Sequence, residues 1–207
     1  SYQNLTRFLF GDIRVDIWVD IDSVQLPSAI RGKPVNALYQ FELLASPRGK
    51  RWYLTRRMAE EDSIACRSHQ ELVAPSNKSA RSIYLSSVFL DNSARINKKD
   101  PSLAYSLTLG VRVPDYEVEQ KFWPDAHFEG GYLFRDSVVV EITPPQQPGG
   151  DWTVTFDWQS DNLGRASRPL AYNTLETGKQ LMTIPFGNNR APGIMGQLRF
   201  EVSTWNY

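Results

Sequence analysis

The sequence predicts an all-β chain: an antiparallel β-sandwich or jelly roll of eight to nine strands with at most one short helix. Three observations lead there. Apolar and polar residues alternate in repeated runs, most plainly in DIRVDIWVDID from Asp12 to Asp22. No stretch of helical length carries a 3.6-residue apolar period. Gly- and Pro-containing turns separate the alternating runs, as in stacked antiparallel sheets.

In chain order, the first strand is expected from Arg14 to Ile21, with Val15, Ile17, Val19 and Ile21 on its inner side. Ala37 to Leu44 is apolar on both sides and reads as a central strand. Ser46-Pro47-Arg48-Gly49-Lys50 has the residues of a tight connection, and Arg51 to Thr55 would return as the second arm of a hairpin. Met58 to Glu71 is the one expected helix.

Ser82 to Leu90 and Leu103 to Val113 follow as strands, the second with Leu103, Tyr105, Leu107, Leu109, Val111 and Val113 in phase. Pro114 is expected to end that strand. Gly130-Gly131 would break the chain before a strand from Tyr132 to Ile142, and TPPQQPGGD would form a loop before Trp152 to Trp158. Asp161 to Tyr172 reads as loop, Met182 to Phe186 as a short strand, and Gln197 to Thr204 as a closing strand with Leu198, Phe200 and Val202 inward. With no fixed-period repeat and no long linker, residues 1–207 are expected to form one domain.

Lys plus Arg and Asp plus Glu both number 23, so no net field draws the chain to nucleic acid or to anionic lipid. No apolar run approaches the roughly 18 residues a membrane helix needs. Cys66 is the only cysteine, which excludes an intramolecular disulfide but marks the compartment only weakly. The first residue is Ser1. Localisation is left open between the cytoplasm and export after removal of a leader.

Four constellations are candidates for chemistry. The Asp12 to Asp22 run puts four aspartates and Trp18 on one side of a strand. A straight strand cannot wrap calcium in its six to eight oxygens, so this side is expected to be a solvated outer face that also guards a sheet edge. Asp115-Tyr116-Glu117-Val118-Glu119 places three carboxylates on one strand face. Alternate strand positions can supply the separation of about 5 to 9 Å that glycosidases use, with Glu117 and Glu119 as the catalytic pair.

The third, FWPDAHFEGGYLF from Phe122 to Phe134, combines Trp123, Asp125, His127, Phe128 and Glu129 in what is expected to be a loop as far as Gly131. His127 and Glu129 have metal-ligand spacing, as do Cys66 and His69, but two histidines supply too few ligands, so neither metal nor cofactor is expected. The fourth is the basic hairpin, where Arg51, Trp52 and Arg56 lie among further cations. Basic residues interleaved with aromatics can hold single-stranded nucleic acid, yet Glu60, Glu61 and Asp62 follow at once and disfavour it.

Nucleophile elbows, phosphate loops, dinucleotide fingerprints and zinc-protease motifs are all absent from the sequence. The leading expectation is therefore a non-enzymatic module that recognises another protein through an aromatic-rich loop face, as an adaptor, inhibitor or assembly subunit. Its surface would comprise Trp123, Asp125, His127, Phe128 and Glu129 with Arg51, Trp52 and Arg56. The alternatives are a carbohydrate-binding module using Trp18, Trp52, Trp123 or Trp158 as stacking platforms, or a jelly-roll glycosidase.

Overall fold

A computed structural model of the chain describes residues 13–45, 52–55, 65–74, 78–90, 103–120, 124–143, 153–161 and 167–204. In chain order the strands are β1 (Ile13–Gln25), β2 (Val35–Ala45), β3 (Trp52–Thr55), β4 (Cys66–Ser68), β5 (Ser82–Leu90) and β6 (Leu103–Val118). They continue with β7 (Ala126–Thr143), β8 (Thr153–Trp158), β9 (Arg168–Pro169), β10 (Tyr172–Thr174), β11 (Gln180–Gly187) and β12 (Gly193–Thr204). Among the described residues one α-helix is present, α1 (His69–Val73).

Two antiparallel sheets form a sandwich. One has five strands in the order β10-β11-β12-β1-β5; the other runs β3-β2-β6-β7-β8-β9, with short β4 also paired to β2. Strands β6 to β9 and β10 to β12 follow one another as meanders within their sheets. Eleven strands lie along these two paths, more than the eight to nine expected. The excess comes from short pieces such as β9 and β10, too brief to show a period.

Alternation explains the core. Ile17, Val19, Ile184 and Leu198 from the five-stranded sheet meet Phe41, Leu43, Leu109, Val111 and Val138 from the other, all fully or almost fully buried in one cluster. Each such side chain contributes about 1.5 to 3 kcal/mol when removed from water. β2 is buried on both sides as expected, although its second face carries Gln40 and Glu42.

Several local expectations change. α1 starts only at His69, where Ser68 caps it and exchanges hydrogen bonds with Glu71 in a capping box. Cys66 to Ser68, expected inside the helix, instead pair with β2, and residues 58–64 lie outside the described residues. The stretch from 161 to 172 holds β9 and the start of β10.

The most consequential change concerns β6 and β7. Pro114 does not end β6, which continues to Val118 past a bulge in its register with β2 between Ala37 and Gln40. A proline is tolerated at such an irregularity because no ladder donor is needed there. β7 begins at Ala126 and runs straight through Gly130-Gly131. A Cβ on Gly130 would sit 2.0 Å from the Val113 carbonyl oxygen. The glycine therefore permits close approach of two backbones and does not mark a loop.

Candidate functional site

The extended ends of β6 and β7 pair Asp115 with Glu129, Tyr116 with Phe128, Glu117 with His127 and Val118 with Ala126. Tyr116 and Val118 are buried in the core, and Phe128 and Ala126 pack against it. Alternation then turns Asp115, Glu117, His127 and Glu129 outward together. His127 Nδ1 lies 3.1 Å from Asp115 Oδ2, and its Nε2 lies 3.8 Å from Glu117 Oε1. Glu119 accepts from Asn36 Nδ2 at 3.1 Å, and Gln70 Nε2 donates to Asn36 Oδ1 at 2.9 Å. At the tip, Asp125 accepts from the Gln120 amide at 3.1 Å.

No lysine or arginine among the described residues forms an ion pair with Asp115, Glu117, Glu119, Asp125 or Glu129. Cross-strand partners lie about 5 Å apart. Two carboxylates at that distance repel by about 0.8 kcal/mol even in bulk water. The register thus opposes Asp115 to Glu129 with no lysine or arginine among the described residues beside them, and only His127 reaches Asp115.

Farther along the same hairpin is a second group. Arg112 pairs in register with Tyr132, whose ring is 6.0 Å from the Arg112 guanidinium and 5.0 Å from that of Arg135. The Tyr132 hydroxyl donates to buried Glu42 at 3.0 Å. Neither the Arg112 nor the Arg135 side chain makes a hydrogen bond or ion pair among the described residues. Among the described residues the hairpin therefore carries acids without lysine or arginine partners at one end and guanidiniums without carboxylate partners next to them.

The aspartate run on β1 has a different character. β1 lies between β12 and β5, so it guards no edge, and Asp16 is only 6% exposed. Arg14 Nε donates to Asp16 at 2.8 Å, and Ser87 donates to the same oxygen. Arg199 donates to Asp20 at 2.6 and 3.2 Å, to Ser82 Oγ at 2.8 Å and to Glu201, which Lys179 also reaches at 3.4 Å. The Arg199 guanidinium lies 4.8 Å from the Trp18 ring, which packs edge-on against Tyr84. Within the expected solvated face only Asp22 is exposed; Asp16 and Asp20 belong to a paired, partly buried network, and Asp12 lies outside the described residues.

Asp125, His127, Phe128, Glu129, Glu117 and Glu119 are thus gathered at one hairpin end, but on strands and at a turn, not on the expected loop. Trp123, Arg51 and Arg56 lie outside the described residues, and Trp52 is described only as the start of β3, opposite Ala45. Trp158 is a core residue whose Nε1 donates to the Pro185 carbonyl at 2.9 Å, so it offers no stacking platform. Trp18 is half-buried, with the Arg199 guanidinium over its ring and Tyr84 against its edge.

His69 is hydrogen-bonded to Tyr39 through Nδ1 at 3.0 Å, and desolvation lowers its pKa. Cys66 is buried. Among the described residues no three His, Cys, Asp or Glu side chains form a group that could hold a metal ion. Likewise, no helix among the described residues is long and apolar enough to cross a membrane.

Sequence reasoning placed Tyr132 in the aromatic stretch but missed Asn36, Arg112 and Arg135. Their grouping depends on the register between β6 and β7 and between β2 and β6. Compared with protein-family models, curated proteins and solved structures, the chain matches none.

Proposed function

We propose that the chain is a non-enzymatic β-sandwich module that recognises another protein through the outer face of the β6–β7 hairpin. The observation that carries this reading is the Asp115–Glu129 cross-strand pair, flanked by Glu117 and Glu119 and without a lysine or arginine partner among the described residues. A fold gains nothing from opposing two like charges. Local departures of this kind are expected where a surface serves a partner. The partner would bring cations to Asp115, Glu117 and Glu129, and Asp125 extends the acidic surface toward the hairpin tip.

Capture on immobilised protein from a native lysate tests this reading, with Asp115→Lys/Glu129→Lys as the control. A protein retained by the native chain and lost with the folded variant supports it. Equal retention by both forms would overturn it.

A further inference from the structure

The face that Asp115 and Glu129 share with Arg112 and Arg135 is self-complementary. Arg112 precedes Asp115 by three residues, and Tyr132 follows Glu129 by three, a separation of about 10 Å along an extended strand. That is too far for a direct ion pair within one hairpin. It is close enough for both sets of charge to meet one partner surface.

A wholly basic partner would satisfy the acids but set its cations against Arg112 and Arg135. A copy of the same hairpin, rotated by a twofold axis, satisfies both. In an isologous contact, residue i of one copy meets residue j of the other and the reverse holds too. The acid end of each hairpin would then lie on the arginines of the other.

Tyr132 is 40% exposed and stands among these charges. Tyrosine and arginine are enriched among the residues that anchor protein interfaces. The chain's zero formal net charge adds no long-range repulsion between copies.

Resting on the reading that this face recognises a protein, we propose that the partner is a second copy of the chain, with Asp115, Glu117 and Glu129 of each copy against Arg112 and Arg135 of the other. The module is then an assembly subunit, and the uncompensated charges of the hairpin become the contacts of a twofold dimer.

Charge exchange tests this by sedimentation equilibrium on three forms: the native chain, Arg112→Glu/Arg135→Glu, and Asp115→Lys/Glu129→Lys. Circular dichroism and the denaturant midpoint establish that each is folded. The native chain is expected to dimerise. Each variant sets like charges against each other in its own homodimer and is expected to weaken association by roughly a hundredfold or more. Mixing the two variants sets opposite charges against each other at positions 112, 115, 129 and 135, with only Glu117 of one form left facing acids, so a heterodimer much tighter than either homodimer is expected.

A native chain that stays monomeric overturns the dimer, as does a mixture that fails to associate. The recognition reading is judged separately, by whether Asp115→Lys/Glu129→Lys loses a different captured protein. If it does while the native chain is monomeric, the face is a recognition surface and the partner is not a second copy.

Discussion

Tyr116 lies close enough to Tyr39 for its charge to raise the Tyr39 pKa, yet the two hydroxyls differ in one respect. Tyr116 is 1% exposed, and its hydroxyl has no hydrogen-bond partner among the described residues. Desolvation pushes its pKa up to about 12. Tyr39 is fully buried too, and desolvation followed by the Tyr116 charge raises its pKa, but its hydroxyl is hydrogen-bonded to His69 at 3.0 Å.

A buried polar group left unpaired costs about 1 to 3 kcal/mol, whereas a typical made hydrogen bond contributes about 0.5 to 1.5 kcal/mol. Tyr116→Phe removes the unpaired oxygen and keeps the ring in the core, so it is expected to stabilise the fold by about 1 kcal/mol. At this chain length that is a rise of about 2 to 4 °C in Tm. Tyr39→Phe is expected to destabilise by about 1 kcal/mol, since it breaks the bond and leaves His69 Nδ1 without it. Urea denaturation with an unchanged m value would report both. The reasoning is refuted if both variants shift the midpoint in the same direction, or if Tyr116→Phe lowers it.

Arg199→Met should lower stability by about 1 to 3 kcal/mol in urea denaturation, because Asp20, Ser82 and Glu201 all lose a donor in a partly buried setting. Gly130→Ala should cost about 1 to 3 kcal/mol by the same assay, since its Cβ meets the Val113 and Pro114 backbone and not a side chain that can move. His69 gives a pH dependence. Its folded pKa lies below the unfolded value of about 6.5, so the stability linked to its neutral form is complete above about pH 6.5. That stability falls as pH drops through the folded pKa, and His69→Gln should flatten this part of the stability–pH curve relative to the native chain.

The inner face of the sandwich was legible because burial repeats with the strand period. Val15 to Ile21 and Leu107 to Val113 are buried at the expected alternate positions. Outward residues carry no such signal. Nothing in Asp12 to Asp22 shows that Arg199, far along the chain, pairs with Asp20, or that Asp16 is buried. Gly130-Gly131 was misread because a glycine that lets two backbones approach has the same letter as one that breaks a strand.

The hairpin site was half legible for a related reason. Asp115, Glu117 and Glu119 share a face by simple alternation, but the opposition of Asp115 to Glu129 and the placement of Arg112 beside Tyr132 follow from register. That register includes a shift between Val111 and Arg112, and local sequence does not specify it.

Carboxylate labelling with a carbodiimide and glycine ethyl ester, read by peptide mass spectrometry, tests the recognition face most directly. The dilute protein alone is compared with the protein at high concentration and in native lysate. Asp115, Glu117 and Glu129 should lose label in at least one of the latter conditions, while exposed Asp22 and Glu176 keep theirs. Undiminished labelling of the three hairpin carboxylates in every condition would contradict a recognition role for this face.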